Sequence, residues 1–144
     1  MAGSIDPLRA QFDAFKALPR DTPIQMLNMI RLNKLARYPE GHPDHGKGLS
    51  GLDAYRAYGR TSAEVFHRVG GRQIYVGNPE GVVTGPADEH WDLIFIAEYP
   101  NAGAFLAMVT DPDYREHVKH RQAAVEDSRL IRMAPREPGE GFGE

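Results

Sequence analysis

Apolar residues recur along the chain with two different spacings, which separates helices from strands. Intervals of three and four predict an amphipathic helix over Pro7–Leu18 and a second helix over Leu52–Val69. A third helix is predicted from Asn101, a capping residue, to Val109. Asp111 and Pro112 interrupt the helical pattern, and a fourth helix is expected to begin at Asp113.

Alternating or continuous apolar runs predict four strands. Their expected ranges are Ile24–Leu35, Gln73–Val76, His90–Tyr99 and Ser128–Ala134. The pair Val82-Val83 is expected to extend the middle strands as a hairpin arm. The first and third strands carry apolar residues on both of their alternating faces, and such strands are usually covered on both sides.

The order of these elements predicts the fold class. Without the first helix the chain has the order βαββαβ, which is the ferredoxin-like split unit of an α+β protein. Such a sheet carries its helices on one face only, and the chain has no further elements for the other face. We therefore expect a homodimer whose two sheets pack face to face into a dimeric α+β barrel.

The length of 144 residues suits a single domain, and glycine and proline, at 15 and 11 residues, mark its loops. They cluster in Tyr38–Gly51, Gly77–Asp88 and Pro135–Glu144. We expect one domain over 1–134 and a flexible acidic tail over 135–144. The first loop is a candidate gate for a pocket, and the second is a candidate arm that reaches the partner.

Charge and composition exclude several classes of function. The net charge of −3 argues against nucleic-acid binding, which needs a basic face. No apolar run approaches the roughly 18 residues of a membrane helix, so we expect a cytoplasmic protein that binds neither membrane nor nucleic acid. The absence of cysteine excludes disulfides, zinc–cysteine sites and thiol nucleophiles.

Three polar residues are candidate catalytic groups: Asn28, His120 and Arg121. Arg121 shares a predicted helix face with Tyr114, so we expect it to point towards the sheet. It would anchor a substrate carboxylate or enolate, or it would form a structural ion pair with Glu98, Asp92 or the Glu126-Asp127 pair. Asn28 would donate to a substrate carbonyl, or it would be a satisfied core amide.

Aromatic side chains supply candidate pocket walls. Tyr55, Trp91, Tyr99 and Tyr114 are expected to contact a substrate between sheet and helices. The same residues are equally typical of a core. His42 and His45 in the first loop are spaced for a metal pair, but two loop histidines without a third ligand favour the solvated alternative. We therefore expect no metal and no cofactor.

The C-terminal half resembles a known family, on a set of short motifs. They are Gly85-Pro86, Trp91-Asp92, Tyr99-Pro100, Phe105 with Met108 and Val109, Asp113-Tyr114, His120-Arg121, and Ala123–Ser128 leading into Leu130. These motifs resemble the domain of unknown function 1330 family, which implies a dimeric α+β barrel and no established reaction.

Related barrels include cofactor-free monooxygenases and isomerases. The resemblance therefore implies a small cofactor-independent enzyme, monooxygenase-like or isomerase-like, acting on an aromatic or acidic metabolite. The alternative is a non-catalytic small-molecule-binding or stress-related dimer. The sequence leaves the choice between enzyme and binding protein open.

Overall fold

Four antiparallel strands form one sheet in the computed structural model, which describes residues 3–139 and residue 142. The strands are β1 (Ile24–Leu32), β2 (Arg72–Gly77), β3 (Leu93–Tyr99) and β4 (Val125–Met133). Their order across the sheet is β2-β3-β1-β4. This is the ferredoxin-like arrangement, in which the first and third strands are central, and it confirms the predicted α+β fold.

Four helices accompany the sheet, and side chains cap three of them. The helices are α1 (Arg9–Ala17), α2 (Gly51–Arg68), α3 (Ala102–Val109) and α4 (Pro112–Ala124). Ser50 and Asp53 form a reciprocal capping box at the start of α2. Asn101 caps α3, and Asp111 caps α4 with Pro112 in the first turn. The helices thus begin within a residue of the predicted positions, except α1.

The core lies between one face of the sheet and the helices. Ile24 and Met26 of β1 pair with Tyr99 and Ala97 of β3, and all four are buried in one apolar cluster. Ile30, with none of its surface exposed, belongs to a second cluster further along β1. Alternation from these residues places Asn28 on the same face of the sheet.

Helix α1 lies on the helix side of the sheet, next to α3 and β4. The rings of Phe15 and Phe105 are 5.1 Å apart between centroids. The guanidinium of Arg132 in β4 lies 4.9 Å from the Phe15 ring and donates to the carbonyl oxygens of Phe15 and Pro19. This helix therefore packs over the opening between sheet and helices.

The opposite face of the sheet carries apolar residues that nothing in the described part of the chain covers. Leu27 of β1 is in register with Ile96 of β3 and Ile131 of β4 on this face. Ile131 is 47% exposed, and Tyr75 of β2, in register with Ile96, is 55% exposed. We call this surface the open sheet face.

Three strand boundaries predicted from the sequence are wrong by three residues. β1 ends at Leu32 rather than Leu35, because the buried Asn33 leaves the sheet and its side-chain amide donates to the Ala123 carbonyl at 3.1 Å. β3 begins at Leu93 rather than His90, and β4 begins at Val125 rather than Ser128. The expected arm at Val82-Val83 forms no strand, and Val83 is fully exposed.

No helix in the described residues is long and apolar enough to span a membrane. Residues 140, 141, 143 and 144 of the predicted tail lie outside the described residues.

Candidate functional site

A cavity of about 1100 Å³ lies between the helix-side face of the sheet and the helices. Apolar side chains from every helix contribute to its wall, including Phe12 of α1 and Phe66 of α2. Its volume is slightly above the range of about 300–1,000 Å³ that is typical of small-molecule sites. This cavity is therefore a concave surface large enough for a ligand.

Three tyrosines form the polar part of the wall on α2 and α4. The hydroxyls of Tyr58 and Tyr114 are hydrogen bonded at 2.8 Å, and the ring of Tyr55 lies 5.5 Å from that of Tyr58. Burial raises the pKa of each of the three hydroxyls above its ordinary value. These side chains therefore stay protonated at neutral pH. One proton of the Tyr58–Tyr114 pair is engaged in their mutual hydrogen bond, so two of the three hydroxyls can donate to a ligand.

Arg121 of α4 also lines the cavity. Its positive charge acts to lower the pKa of all three tyrosines, but burial has the larger effect, so each pKa stays raised. Its guanidinium donates to the Ile5 carbonyl at 2.5 Å and to the Ser128 hydroxyl at 3.3 Å. Within residues 3–139, no carboxylate lies within ion-pair distance of it. The carboxylates that the sequence offered as partners for Arg121 are engaged elsewhere. Glu98 pairs with Arg72, and Asp92 accepts from the Leu32 backbone N–H. Asp127 pairs with Arg31 and Arg129.

Asn28 and Tyr99 line the same cavity from the sheet. The Asn28 amide donates to the Met26 carbonyl at 3.0 Å along its own strand, and its side-chain oxygen has no protein donor among the described residues. The Tyr99 hydroxyl lies 3.8 Å from the Met108 sulfur and is buried. Asn28 thus offers a polar group to a ligand, whereas Tyr99 is a buried wall residue.

Trp91 and His120 lie outside the cavity. Trp91 precedes β3, is buried, and has the guanidinium of Arg129 at 5.4 Å from its ring. His120 lies on another side of α4, where its Nδ1 is 2.6 Å from the Tyr38 hydroxyl of the first loop. The structure therefore brings together five of the seven predicted site residues, and it separates His120 from Arg121.

The charge around the cavity is mainly positive. Arg115 and Arg132 lie along the wall with Arg121, and the one carboxylate among the described lining residues belongs to Asp6. Arg132 is not among the site residues predicted from the sequence. It lies two residues after Leu130 in β4, so strand alternation places both side chains on the helix-side face, and this spacing could have identified it. A positive, partly aromatic cavity favours a ligand with an acidic group.

The first loop, Tyr38–Gly51, folds against α4 instead of the cavity, and no described residue of it lines the cavity wall. His42, Asp44 and His120 each present a metal-ligating atom, and these atoms lie within 4.8 Å of one another. His45 is not part of this group, since its Nδ1 lies 2.8 Å from the Tyr38 carbonyl oxygen. The loop and α4 thus build a second cluster of polar side chains.

Comparisons with known proteins identify relatives over almost the whole chain. A family model described as "Domain of unknown function (DUF1330)" matches residues 50–134. A protein of unknown function from Rhodopseudomonas palustris is 52% identical, with a TM-score of 0.86 over 94% of this chain and 99% of that one. Its methylated form gives a TM-score of 0.89 at 52% identity over 97% and 100%.

A more distant likeness concerns the fold alone. SnoaB, a cofactor-independent oxygenase from Streptomyces nogalater, is 15% identical, with a TM-score of 0.51 over 81% of this chain and 96% of that one. No curated protein matches the chain. The 52% identical relative extends over the N-terminal half, so α1 and the first loop fall within the shared region.

Proposed function

This chain belongs to the DUF1330 family, whose description assigns no reaction, and from that premise we propose that it binds a small aromatic acid in its cavity and acts on it without a cofactor. One observation carries the proposal. Arg121 presents a cation to an apolar, tyrosine-lined cavity and has no carboxylate partner among the described residues. A cation in such a place is costly unless an anion accompanies it.

The groups around Arg121 suit the stabilisation of negative charge on a bound substrate. The tyrosine hydroxyls of Tyr55 and Tyr58 stay protonated, and Asn28 supplies an amide on the opposite wall. Donors fixed in advance around a developing oxyanion are the largest single source of catalysis in many enzymes. We propose that they hold an enolate or phenolate formed when a water molecule in the cavity accepts a proton from the substrate. The anion then either takes a proton back at another atom, which isomerises the substrate, or is oxidised by O₂ as the second substrate.

The likeness to SnoaB supports the oxygen-dependent version of this chemistry by analogy of fold. One observation favours the alternative, a non-catalytic binding protein. The candidate catalytic histidine, His120, lies outside the cavity, and its Nδ1 is hydrogen bonded to the Tyr38 hydroxyl. A binding protein needs Arg121 and the aromatic walls but no base.

The two versions differ in turnover, which can be measured directly. Metabolite extracts and a panel of hydroxylated aromatic acids would be screened for binding by ligand-observed NMR. Each ligand found is then incubated with the protein in air without flavin, nicotinamide or added metal. Oxygen uptake or deuterium incorporation from D₂O supports the enzyme, and binding without either supports the non-catalytic protein. If no acidic aromatic compound binds, the proposal is wrong.

We also propose that the open sheet face joins two copies of the chain. Tyr75 and Ile131 are large apolar residues exposed on that face, and an exposed apolar patch on a sheet is typical of an interface. A charge buried in such an interface strongly opposes association, and a two-fold interface would bury it from both copies. Ile131→Glu is therefore expected to convert a dimer into a monomer.

Light scattering after gel filtration measures this change. Leu35→Glu is the matched control, since Leu35 is 63% exposed but lies in the loop after β1. A monomeric wild-type protein at micromolar concentration, or a dimer that survives Ile131→Glu, contradicts the proposed interface. The expected cytoplasmic location stays a prediction.

A further inference from the structure

The first loop brings two imidazoles and a carboxylate together on the side of α4 that faces away from the cavity. The ligating atoms of His42, Asp44 and His120 all lie within 4.8 Å of one another. The distance from His120 Nδ1 to Asp44 Oδ2 is 4.0 Å. We propose that these three side chains bind one divalent transition-metal ion and thereby fasten the loop to α4.

The spacing is close to that of a bound metal. Ligands at about 2.1 Å from one tetrahedral ion lie about 3.4 Å apart. The His120–Asp44 pair, at 4.0 Å, is within about 0.6 Å of that spacing. No pair of the three ligating atoms is more than 4.8 Å apart, so the largest closure needed is about 1.4 Å, which side-chain rotation in a loop can supply.

The donor set selects the class of ion. Two imidazole nitrogens and one carboxylate suit zinc, iron, cobalt or nickel, whereas calcium and magnesium prefer oxygen ligands throughout. Three protein ligands leave further coordination positions for water or another small molecule. The site would therefore take a borderline transition-metal ion such as Zn²⁺.

The histidine on α4 presents Nδ1 to the cluster. The Tyr38 hydroxyl and His120 Nδ1 are hydrogen bonded at 2.6 Å. In the tautomer with the ring proton on Nε2, the hydroxyl donates and Nδ1 accepts with its lone pair. A metal ion bound to Nδ1 would compete with the tyrosine hydroxyl for this lone pair.

The carboxylate of Asp44 has one oxygen directed at the cluster. The hydrogen bond from Lys47 engages its Oδ1 at 3.1 Å. Oδ2 is the oxygen that faces His120. Asp44 can therefore bind a metal ion without losing its contact with Lys47.

A hydrogen bond from the loop backbone holds the His42 ring in place, and metal binding would change this hydrogen bond. The backbone N–H of Asp44 donates to His42 Nδ1 at 3.0 Å. Binding through Nδ1 replaces this bond, and binding through Nε2 moves the ring proton to Nδ1, which also ends the bond because Nδ1 then has no lone pair. The ring of Tyr38 stacks on His42 at 4.5 Å between centroids, which keeps the imidazole beside His120 during that change.

Zinc titration of tag-free protein followed by calorimetry tests the proposal. We expect one Zn²⁺ per chain and no heat with Ca²⁺. His42→Gln, Asp44→Asn and His120→Gln should each weaken zinc binding at least about tenfold, since each removes one of three ligands. Circular dichroism would verify that each variant is folded.

Two histidines serve as matched controls. His67→Gln on α2 should change zinc affinity less than about twofold, and His45→Gln should cost less than any ligand substitution. Histidine ring ¹H–¹⁵N spectra should show zinc-dependent shifts at His42 and His120 in the wild-type protein. Absence of stoichiometric zinc binding, or a loss with His45→Gln equal to that with His42→Gln, overturns the proposal.

Discussion

Replacing Arg121 by methionine removes the cavity's central charge and keeps a side chain of similar length. The guanidinium has five N–H donors, and the contacts to Ile5 and Ser128 engage one on each terminal nitrogen. Donors therefore remain for a ligand carboxylate. A hydrogen bond between charged groups contributes about 1.5–3 kcal/mol, so the substitution should weaken an acidic ligand about 10- to 150-fold.

A comparison of two probes, one with and one without a carboxylate, measures how much the charge of Arg121 contributes to binding. Calorimetry would measure the binding of 2-naphthoate and of 2-naphthalenemethanol, which have the same rings and differ in the carboxylate. Arg121→Met should weaken the acid by the stated factor and leave the alcohol nearly unchanged. Arg56→Met, at an exposed position on α2 outside the cavity, is the control for lost surface charge.

The folded state should tolerate this change. Arg121 bonds to a backbone carbonyl and a hydroxyl rather than to a carboxylate, so its loss leaves no buried anion unpaired. We expect a cost of about 1–2 kcal/mol and a decrease in Tm of about 3–8 °C. Equal losses of affinity for the acid and the alcohol would refute the charge-based reasoning, and so would unchanged binding of the acid.

Three further predictions concern the fold. Ser50→Ala removes the α2 cap and should lower the free energy of unfolding by about 1 kcal/mol in urea titrations. Gly70→Ala forces alanine into a φ of +87° and should destabilise the protein by about 1 kcal/mol or more. The Gln25 amide and Arg72 lower the pKa of Glu98 in the folded state, so its stabilising effect is present above the unfolded pKa and lost as pH falls. The Tm difference between wild type and Glu98→Gln should therefore shrink from pH 7 to pH 3, and a constant difference would contradict this.

The order of elements could be predicted because each element carries its own periodic pattern. Alternation in Ile24–Leu32 and the caps at Ser50 and Asn101 are local features, and local features determine where strands and helices begin. The end of β1 depends instead on a contact between Asn33 and Ala123, ninety positions apart in the chain. No local pattern contains that information, so the strand was extended to Leu35.

Local patterns limit the prediction of the candidate site in the same way, because they do not contain contacts between distant parts of the chain. Helical spacing places Arg121 on the face of Tyr114, and both line the cavity. The sequence-based prediction places His120 in the same site as its neighbour Arg121. Consecutive residues on a helix point about 100° apart, and this rotation turns His120 from the cavity towards the first loop. Asp44, which lies beside His120 there, is distant from it in sequence, so no local spacing relates the two residues.

Helix α4 therefore carries two separate groups of polar residues on two of its sides. Arg121 contacts the cavity and the N-terminal segment, whereas His120 contacts the first loop. Because the two groups share a helix but no side chain, their energetics should be additive unless the helix moves. Zinc should then leave the affinity for 2-naphthoate unchanged. A zinc-dependent change in that affinity would show that the loop and the cavity are coupled through α4, since a coupling free energy between two sites is reciprocal.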